Sequence, residues 1–284
     1  YINTTIDSQI IFVRLENTTT NCYNVASLTL EVVENPIANP ATALEVCDDN
    51  TDGFAVFDLS LRSAEVIGTQ TGMTISYHQS QADADAGQNA LPTNYTNTVA
   101  GAQQIFVRIE NGISGCFATT TLQLIVNPKP TVIAVSTYEL CDANNPGDQE
   151  EQFDLSTKTS EILNGQVNTT VSYYASPADA NAGTNAITVP YTNISSPQTI
   201  VAVLTNVITN CSSRLNFNLV VNPLPALVAP TALEVCDDAT PDGLTEIDLS
   251  LKNTEITGNM PSYAVSYYET LAEAKNATNP LPTL

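Results

Sequence analysis

Apolar and polar residues alternate over short stretches of this chain. The alternation is clearest in Thr74–His78 (TISYH), in Gln104–Glu110 (QIFVRIE) and in Ala118–Val126. A period of two residues, with β-branched and aromatic side chains, is typical of half-buried β-strands. Leu44–Val46 and Phe54–Leu59 predict two further short strands. We therefore expect six or seven strands in this part of the chain.

Turns and short helices are predicted between these strands. Asn111-Gly112 lies between two alternating stretches, which is a strong signal for a β-hairpin. Leu61–Ile67 has room for one or two helical turns, and Ala82–Gly87 predicts a short helical turn that ends at glycine.

The pattern repeats with a domain-sized period. The stretch Cys47–Ser60 returns as Cys141–Ser156 and as Cys236–Ser250, so that the cysteines lie 94 and 95 residues apart. Each copy has a cysteine, an acidic loop and an apolar-Asp-Leu-Ser tetrad. Because the chain opens and closes at the same phase of the period, we expect it to be a window from a longer array.

Proline-rich joints give the domain boundaries. They follow β-rich stretches near residues 35–40, 127–130 and 222–225, and proline makes short, stiff connections there. We predict the end of one repeat at 1–35, complete repeats at 36–129 and 130–224, and the beginning of another at 225–284. The strand content predicts tandem all-β domains of the immunoglobulin-like sandwich type, although the chain contains no tryptophan.

The six cysteines allow two pairing schemes. Pairing inside each predicted domain joins Cys47 to Cys116 and Cys141 to Cys211. Pairing across the proline joints gives Cys22–Cys47, Cys116–Cys141 and Cys211–Cys236. We prefer the first scheme, because a strand of about 10 residues carries the chain roughly 33 Å from Cys116 before the joint, whereas a disulfide needs Cα atoms within about 7 Å.

The acidic loops resemble cation-binding loops. In the first copy, oxygen-bearing side chains at alternate positions precede Gly53, an arrangement that can wrap a Ca²⁺ ion. The middle copy is degraded, and the alternative for every copy is an Asx-rich turn held by its own hydrogen bonds. The candidate ligands are Asp48, Asn50, Asp52 and Asp58; Asp142, Asn144, Asp148 and Asp154; and Asp238, Thr240, Asp242 and Asp248.

Catalytic signals are few. His78 is the one histidine, and tyrosines replace it in the other copies, so we expect a solvated strand residue rather than a catalytic base. A net charge of −22 argues against nucleic acid or an anionic membrane as partner. We therefore expect no enzyme, no catalytic residue and no membrane insertion in this chain.

Taken together, these motifs resemble the tandem repeats of very large surface adhesins from gliding Bacteroidota, the SprB type. The resemblance rests on the Cys-Asp-Asp loop, Phe-Asp-Leu-Ser, the Ala-Asp-Ala turn, Phe-Val-Arg-Ile-Glu-Asn and Val-Asn-Pro-x-Pro. It implies type IX secretion, attachment at the outer surface, and a role in gliding motility and cell adhesion.

Two functions follow as hypotheses. The first is a stalk or filament segment whose partners are neighbouring repeats of the same chain. The alternative is a ligand-binding module, for example carbohydrate-binding, appended to a secreted enzyme. The low aromatic content, 6% with no tryptophan, favours the stalk, because a glycan-binding module usually offers an aromatic platform.

Overall fold

The structure, a computed structural model, describes residues 1–283. These residues divide into two compact units that interleave along the sequence. The first contains Tyr1–Ala134, Lys158–Tyr173 and Ala202–Leu215. The second contains Val135–Thr157, Tyr174–Val201 and the chain from Asn216 onwards.

A β-hairpin opens the first unit. It pairs β1 (Ser8–Glu16) with β2 (Tyr23–Glu31) antiparallel along their full length. Many of its apolar side chains are exposed to solvent, among them Phe12 and Leu15 at 75% and 77%.

The second repeat is a two-layered sandwich. One layer has strand order β3-β8-β7-β5 and the other pairs β4 with β6. Strand β3 runs parallel to β8, while the β5–β7 and β7–β8 pairs are antiparallel. The strands are β3 (Leu44–Cys47), β4 (Val56–Asp58), β5 (Met73–His78), β6 (Asn94–Thr96), β7 (Ala102–Asn111) and β8 (Phe117–Asn127), and the helices are α1 (Ser63–Ile67), preceded by a 3-10 turn at Leu59–Arg62, and α2 (Gln81–Ala86).

Alternation along the strands produces the core between these layers. Side chains of β7 and β8 that point inward are fully buried, and they pack against residues of β4, β6 and the 3-10 turn. Burial of each large side chain stabilises the fold by about 1.5–3 kcal/mol. The core residues include Phe57, Leu59, Val66, Tyr95, Ile105, Val107, Leu122 and Leu124.

The third repeat reproduces this architecture. Its larger sheet has order β11-β13-β14-β9, which is the order of the second repeat, and a small sheet pairs β10 with β12. The elements are β9 (Tyr138–Cys141), β10 (Gln152–Phe153), α3 (Ser156–Leu163), β11 (Thr169–Tyr174), α4 (Pro177–Ala182), β12 (Tyr191–Thr192), β13 (Gln198–Asn206) and β14 (Ser212–Asn222).

Residues 225–283 keep only part of the pattern. They form a 3-10 turn at Leu249–Lys252, then α5 (Asn253–Thr257) and α6 (Leu271–Asn276). Because Leu233–Val235 and Ala264–Tyr268 are the counterparts of Leu44–Val46 and Thr74–His78, strands are predicted there as well, but they are not formed. A strand needs a hydrogen-bonded neighbour, and the described residues supply no partner hairpin there. For this segment the strand prediction was wrong.

In the two complete repeats the predicted all-β, immunoglobulin-like class is confirmed. The alternating stretches form β5, β7 and β8, and the predicted second strand shortens to β4. No helix among residues 1–283 is both long enough and apolar enough to cross a lipid bilayer.

In each complete repeat, a buried asparagine holds the acidic loop against the sandwich through hydrogen bonds. Asn97 is 3% exposed, and its Oδ1 accepts from the N–H of Ala55 at 2.7 Å. Its Nδ2 donates to the carbonyl oxygens of Gly53 and Val99. Asn193 makes the same three bonds in the third repeat.

Replacement of Asn97 by alanine is expected to destabilise the second repeat by roughly 2–4 kcal/mol, because it removes three hydrogen bonds to the backbone, although the Gly53 carbonyl still accepts from the N–H of Gly101. Hydrogen exchange of the Ala55 amide, followed by mass spectrometry of the full chain, measures the effect. The matched control is Asn94→Ala, since Asn94 is exposed on the neighbouring strand β6. Equal exchange in the two variants would contradict the prediction.

Candidate functional site

A disulfide bond joins the second repeat to the third. Cys47 and Cys211 are bonded with Cα atoms 5.5 Å apart, although 164 positions separate them in sequence. The bond links the end of strand β3 to the hairpin turn between β13 and β14.

Two local features bring these cysteines together. Because β3 is parallel to β8, Cys47 lies opposite Asn127, the last residue of β8. Cys211 follows a turn shaped by Asn206, whose Oδ1 accepts from the N–H groups of Ile208 and Thr209. The Cys211 Sγ lies 3.8 Å from the Asn127 carbonyl oxygen.

This bond corrects the cysteine pairing predicted from sequence. Cys47 and Cys211 are disulfide-bonded, but to each other, and Cys116 and Cys141 are free. The predicted pairs Cys47–Cys116 and Cys141–Cys211 are therefore wrong. The pairs proposed across the joints, Cys22–Cys47, Cys116–Cys141 and Cys211–Cys236, are not formed either.

The physical reason lies in strand direction. Cys47 lies at the end of β8 that leaves the repeat, whereas Cys116 immediately precedes the other end of β8. A strand of this length separates its ends by roughly 33–36 Å. That distance is far beyond the reach of a disulfide.

Charged groups flank the disulfide. Lys129, in the proline joint, forms an ion pair with Asp49, two residues beyond Cys47. An open cleft of about 460 Å³ lies beside them, lined also by Val132 and Ser212. This ion pair was not predicted from the sequence, although a lysine is one of only eight basic residues in a chain with 30 acidic ones.

The first acidic loop is closed by Asp48. This carboxylate is 6% exposed and accepts from the backbone N–H groups of Asn50, Thr51 and Gly53 at 2.7–3.2 Å. Burial raises the pKa of Asp48, but the backbone N–H donors outweigh burial and hold the pKa below its usual value. Gly53 is required here, since its φ is +80° and a Cβ would lie 2.9 Å from that of Ala100.

The other predicted ligands in this loop bond to one another. Asn50 Nδ2 donates to Asp52 Oδ2 at 2.7 Å, and Asp52 Oδ1 accepts from the N–H of Phe54. Asp58 is the N-cap of the 3-10 turn and accepts from the N–H and hydroxyl of Ser60. The structure thus brings Asp48, Asn50 and Asp52 together as an Asx-type turn.

The middle loop uses a different carboxylate. Glu151 Oε1 accepts from the N–H groups of Ala143 and Asn144, so that Asp142 retains only the N–H of Gly147, on Oδ2. Asp142 is 1% exposed, and its Oδ1 is buried without a hydrogen-bond partner in the described chain.

Glu151, which was not among the predicted ligands, stands where the second repeat has Ala55. The remaining ligand candidates of the middle copy also take part in local bonds. Asp148 accepts from Asn145 Nδ2 and from the N–H of Glu150. Asp154 accepts from the N–H and hydroxyl of Ser156, as Asp58 does in the preceding repeat.

The third loop is closed by Asp237, which accepts from the N–H of Gly243 as Asp48 does from Gly53. Asp238 accepts from the N–H of Thr240, Asp242 from that of Leu244, and Asp248 caps the following 3-10 turn. Residues 1–283 contain no group of three or more His, Cys, Asp or Glu side chains arranged to hold a metal ion. The calcium site stays a prediction.

His78 differs from the expectation of a solvated side chain. It is fully buried, with Nδ1 2.7 Å from the Gln88 carbonyl oxygen and Nε2 2.8 Å from Ser76 Oγ. The prediction was wrong because His78 lies at the end of β5, where the loop after α2 covers it. With both ring nitrogens in local hydrogen bonds, His78 serves the packing of β5.

Comparisons with known proteins place this geometry in context. No curated protein matches the chain. Solved structures that match the chain include titin domains I67–I69, at 9% identity and a TM-score of 0.27, covering 77% of this chain and 89% of that one. Another is BT4661, a SusE-like surface-located polysaccharide-binding protein from Bacteroides thetaiotaomicron, at 13% identity and a TM-score of 0.25, covering 75% and 43%.

A third is mouse clustered PcdhgC3 EC1–3, at 12% identity and a TM-score of 0.20, covering 76% of this chain and 78% of that one. One protein family matches the chain four times, at residues 1–37, 43–130, 137–225 and 232–284, and these matches span nearly all of it. The chain belongs to the Flavobacterium inter-domain disulphide bond domain family, FIDD.

Proposed function

We propose that this chain is a stalk or filament segment of a large secreted cell-surface adhesin. The four family matches support a multidomain extracellular protein with a structural role. Its partners, in this proposal, are neighbouring repeats of the same chain. The observation that carries the proposal is the Cys47–Cys211 disulfide.

The position of this bond matters for a chain under tension. It connects a residue near the start of the second repeat to a residue near the end of the third. A force along the chain would therefore pass through the covalent bond rather than through the hydrophobic cores of these two repeats. Such a path suits a stalk that is pulled from outside the cell.

Single-molecule stretching of the full chain tests this path. With the disulfide intact, the 164-residue interval between the cysteines does not contribute to the extended length of the pulled chain. Since an extended chain spans at most about 3.3–3.6 Å per residue, reduction should add roughly 54–59 nm of contour length.

The Cys47→Ser variant should behave like the reduced protein even under oxidising conditions. Cys116→Ser is the matched control, and it should behave like the unmodified chain. If the oxidised protein released its full contour length, tension would not follow the disulfide, and this support for the stalk would be lost.

We further propose that the stalk lies on the outer surface, reaches it by type IX secretion, and serves attachment and gliding. The sequence motifs shared with gliding adhesins support this step. Antibodies against the repeats should label intact cells, and cells whose protein lacks residues 36–224 should attach and glide less well. Full attachment and gliding by those cells would contradict the adhesive role.

The proposal includes bound calcium. Among the three acidic loops, the middle one has the strongest support as a calcium site. There Asp142 Oδ1 is buried without a partner, and the Glu151 carboxylate, 7% exposed, bonds to the same loop. Two buried carboxylates are costly unless a cation or a hydrogen-bond donor compensates them. Asp142 and Glu151 would hold the ion, which would supply positive charge to the loop.

Calcium titration of the full chain by calorimetry tests this site. Asp142→Asn should remove one binding event, and chelation should lower the melting temperature of the unmodified chain, since a ligand of the native state stabilises it. The matched control is Asp48→Asn, because both oxygens of Asp48 already accept backbone hydrogen bonds. Absence of calcium binding by the unmodified chain would refute the proposal.

A further inference from the structure

An exposed loop of the third repeat, residues 143–150, lies between two buried carboxylates. Every residue of this loop is exposed, whereas Asp142 and Glu151, which flank it, are 1% and 7% exposed. The segment is longer than its counterpart in the second repeat, and Glu151 stands where that repeat has Ala55. The third repeat therefore combines a longer loop with an additional buried charge at its base.

The two residues at the base of the loop are fixed to the sandwich by their backbones. The N–H of Asp142 donates to the carbonyl oxygen of Asn222, the last residue of β14, at 2.8 Å. The N–H of Glu151 donates to Oδ1 of the buried Asn193 at 2.7 Å. Since both ends are held, the part that can move is the loop between them.

The side chains of the same two residues hold the loop closed. Glu151 Oε1 accepts from the N–H groups of Ala143 and Asn144 at 2.6 and 2.8 Å. Asp142 Oδ2 accepts from the N–H of Gly147 at 2.8 Å. Asp142 Oδ1 is buried and has no partner in the described chain. A cation on Oδ1 would therefore leave the bond between Oδ2 and Gly147 intact.

Closure of the loop buries two negative charges. No ion pair among residues 1–283 includes Asp142 or Glu151. An uncompensated buried charge is costly, and opening of the loop lowers this cost because water reaches both carboxylates. A bound divalent cation lowers the same cost while the loop stays closed. The equilibrium between the open and the closed loop is therefore linked to cation binding.

We propose that a divalent cation at Asp142 and Glu151 switches loop 143–150 from an open to a closed conformation. The inference rests on the calcium site proposed above and adds the regulation that this site exerts. Opening of such a loop is a local unfolding event, which leaves the core of the repeat folded. The third repeat then presents a different surface in calcium-rich and in calcium-poor surroundings.

The corresponding loop of the second repeat closes without a cation. Its buried carboxylate, Asp48, has both oxygens in hydrogen bonds, since Oδ1 accepts from two backbone N–H groups and Oδ2 accepts from that of Gly53. Ala55 adds no second charge there. Residues 48–53 are thus an internal reference for the switch within the same molecule.

Hydrogen exchange of the full chain, followed by mass spectrometry over a range of calcium concentrations, tests the switch. Exchange in loop 143–150 should slow as calcium rises, whereas residues 48–53 should exchange at a constant rate. At calcium about one hundred times its dissociation constant, opening should become roughly a hundredfold rarer, because the ion binds only the closed loop. Calorimetry of the same samples measures that dissociation constant.

Glu151→Gln removes one of the two buried charges but keeps an oxygen that can accept from the loop. This variant should abolish the effect of calcium on exchange in loop 143–150, and so should Asp142→Asn. The matched control is Glu150→Gln, which makes the same chemical change at the neighbouring, exposed position. The control variant should keep the calcium response of the unmodified chain.

The possible results distinguish the switch from the calcium site itself. Calcium binding without a change of exchange in loop 143–150 would overturn the switch and leave the site, whereas absence of binding would overturn both. Equal slowing in strand β13 and in the loop would also overturn the switch, because the ion would then stabilise the whole repeat. A full calcium response in Glu151→Gln would have the same consequence.

Discussion

The parallel pairing of β3 with β8 is the constraint on which the disulfide depends. The first strand of the second repeat ends beside Asn127, the last residue of strand β8, so Cys47 lies where the chain passes to the next repeat. Strand β9 repeats this arrangement with β14 in the third repeat. One backbone feature therefore gives the complete repeats the same exit geometry.

Sequence alternation predicted strands such as β5 and β8 in the complete repeats, because these strands bury mainly one face. Strand β13 differs, since consecutive residues from Ile200 to Leu204 are buried. It was insufficient for cysteine pairing, because the direction of β3 relative to β8 is a property of the assembled sheet. The prediction took account of the length of β8 but not of the end at which Cys47 lies, which is beside Asn127 and not beside Cys116. Hydrophobic patterning also failed at 264–268, where the residues have strand character but no neighbouring strand.

The structure of the acidic loops, too, could be predicted from the sequence only in part. Their Asx-rich pattern indicated either a turn or a cation site, and the hydrogen bonds of Asp48 show how the turn is closed. The sequence shows that Glu151 stands where the second repeat has Ala55. Its effect on Asp142 could not be predicted, because the effect depends on Glu151 accepting from the N–H groups of Ala143 and Asn144. The role of Asn97 could not be predicted either, since two of its bonds reach Ala55 and Gly53, which lie 42 and 44 positions away in sequence.

The Cys47–Cys211 bond also changes what a break in the backbone would do. A protease that cuts once between these residues, for example in the exposed loop of 143–150, would leave both products joined through sulfur. The chain would then keep its covalent continuity after damage. Outside a cell, where proteases are common and repair is absent, this redundancy protects the connection independently of the stability of any single repeat.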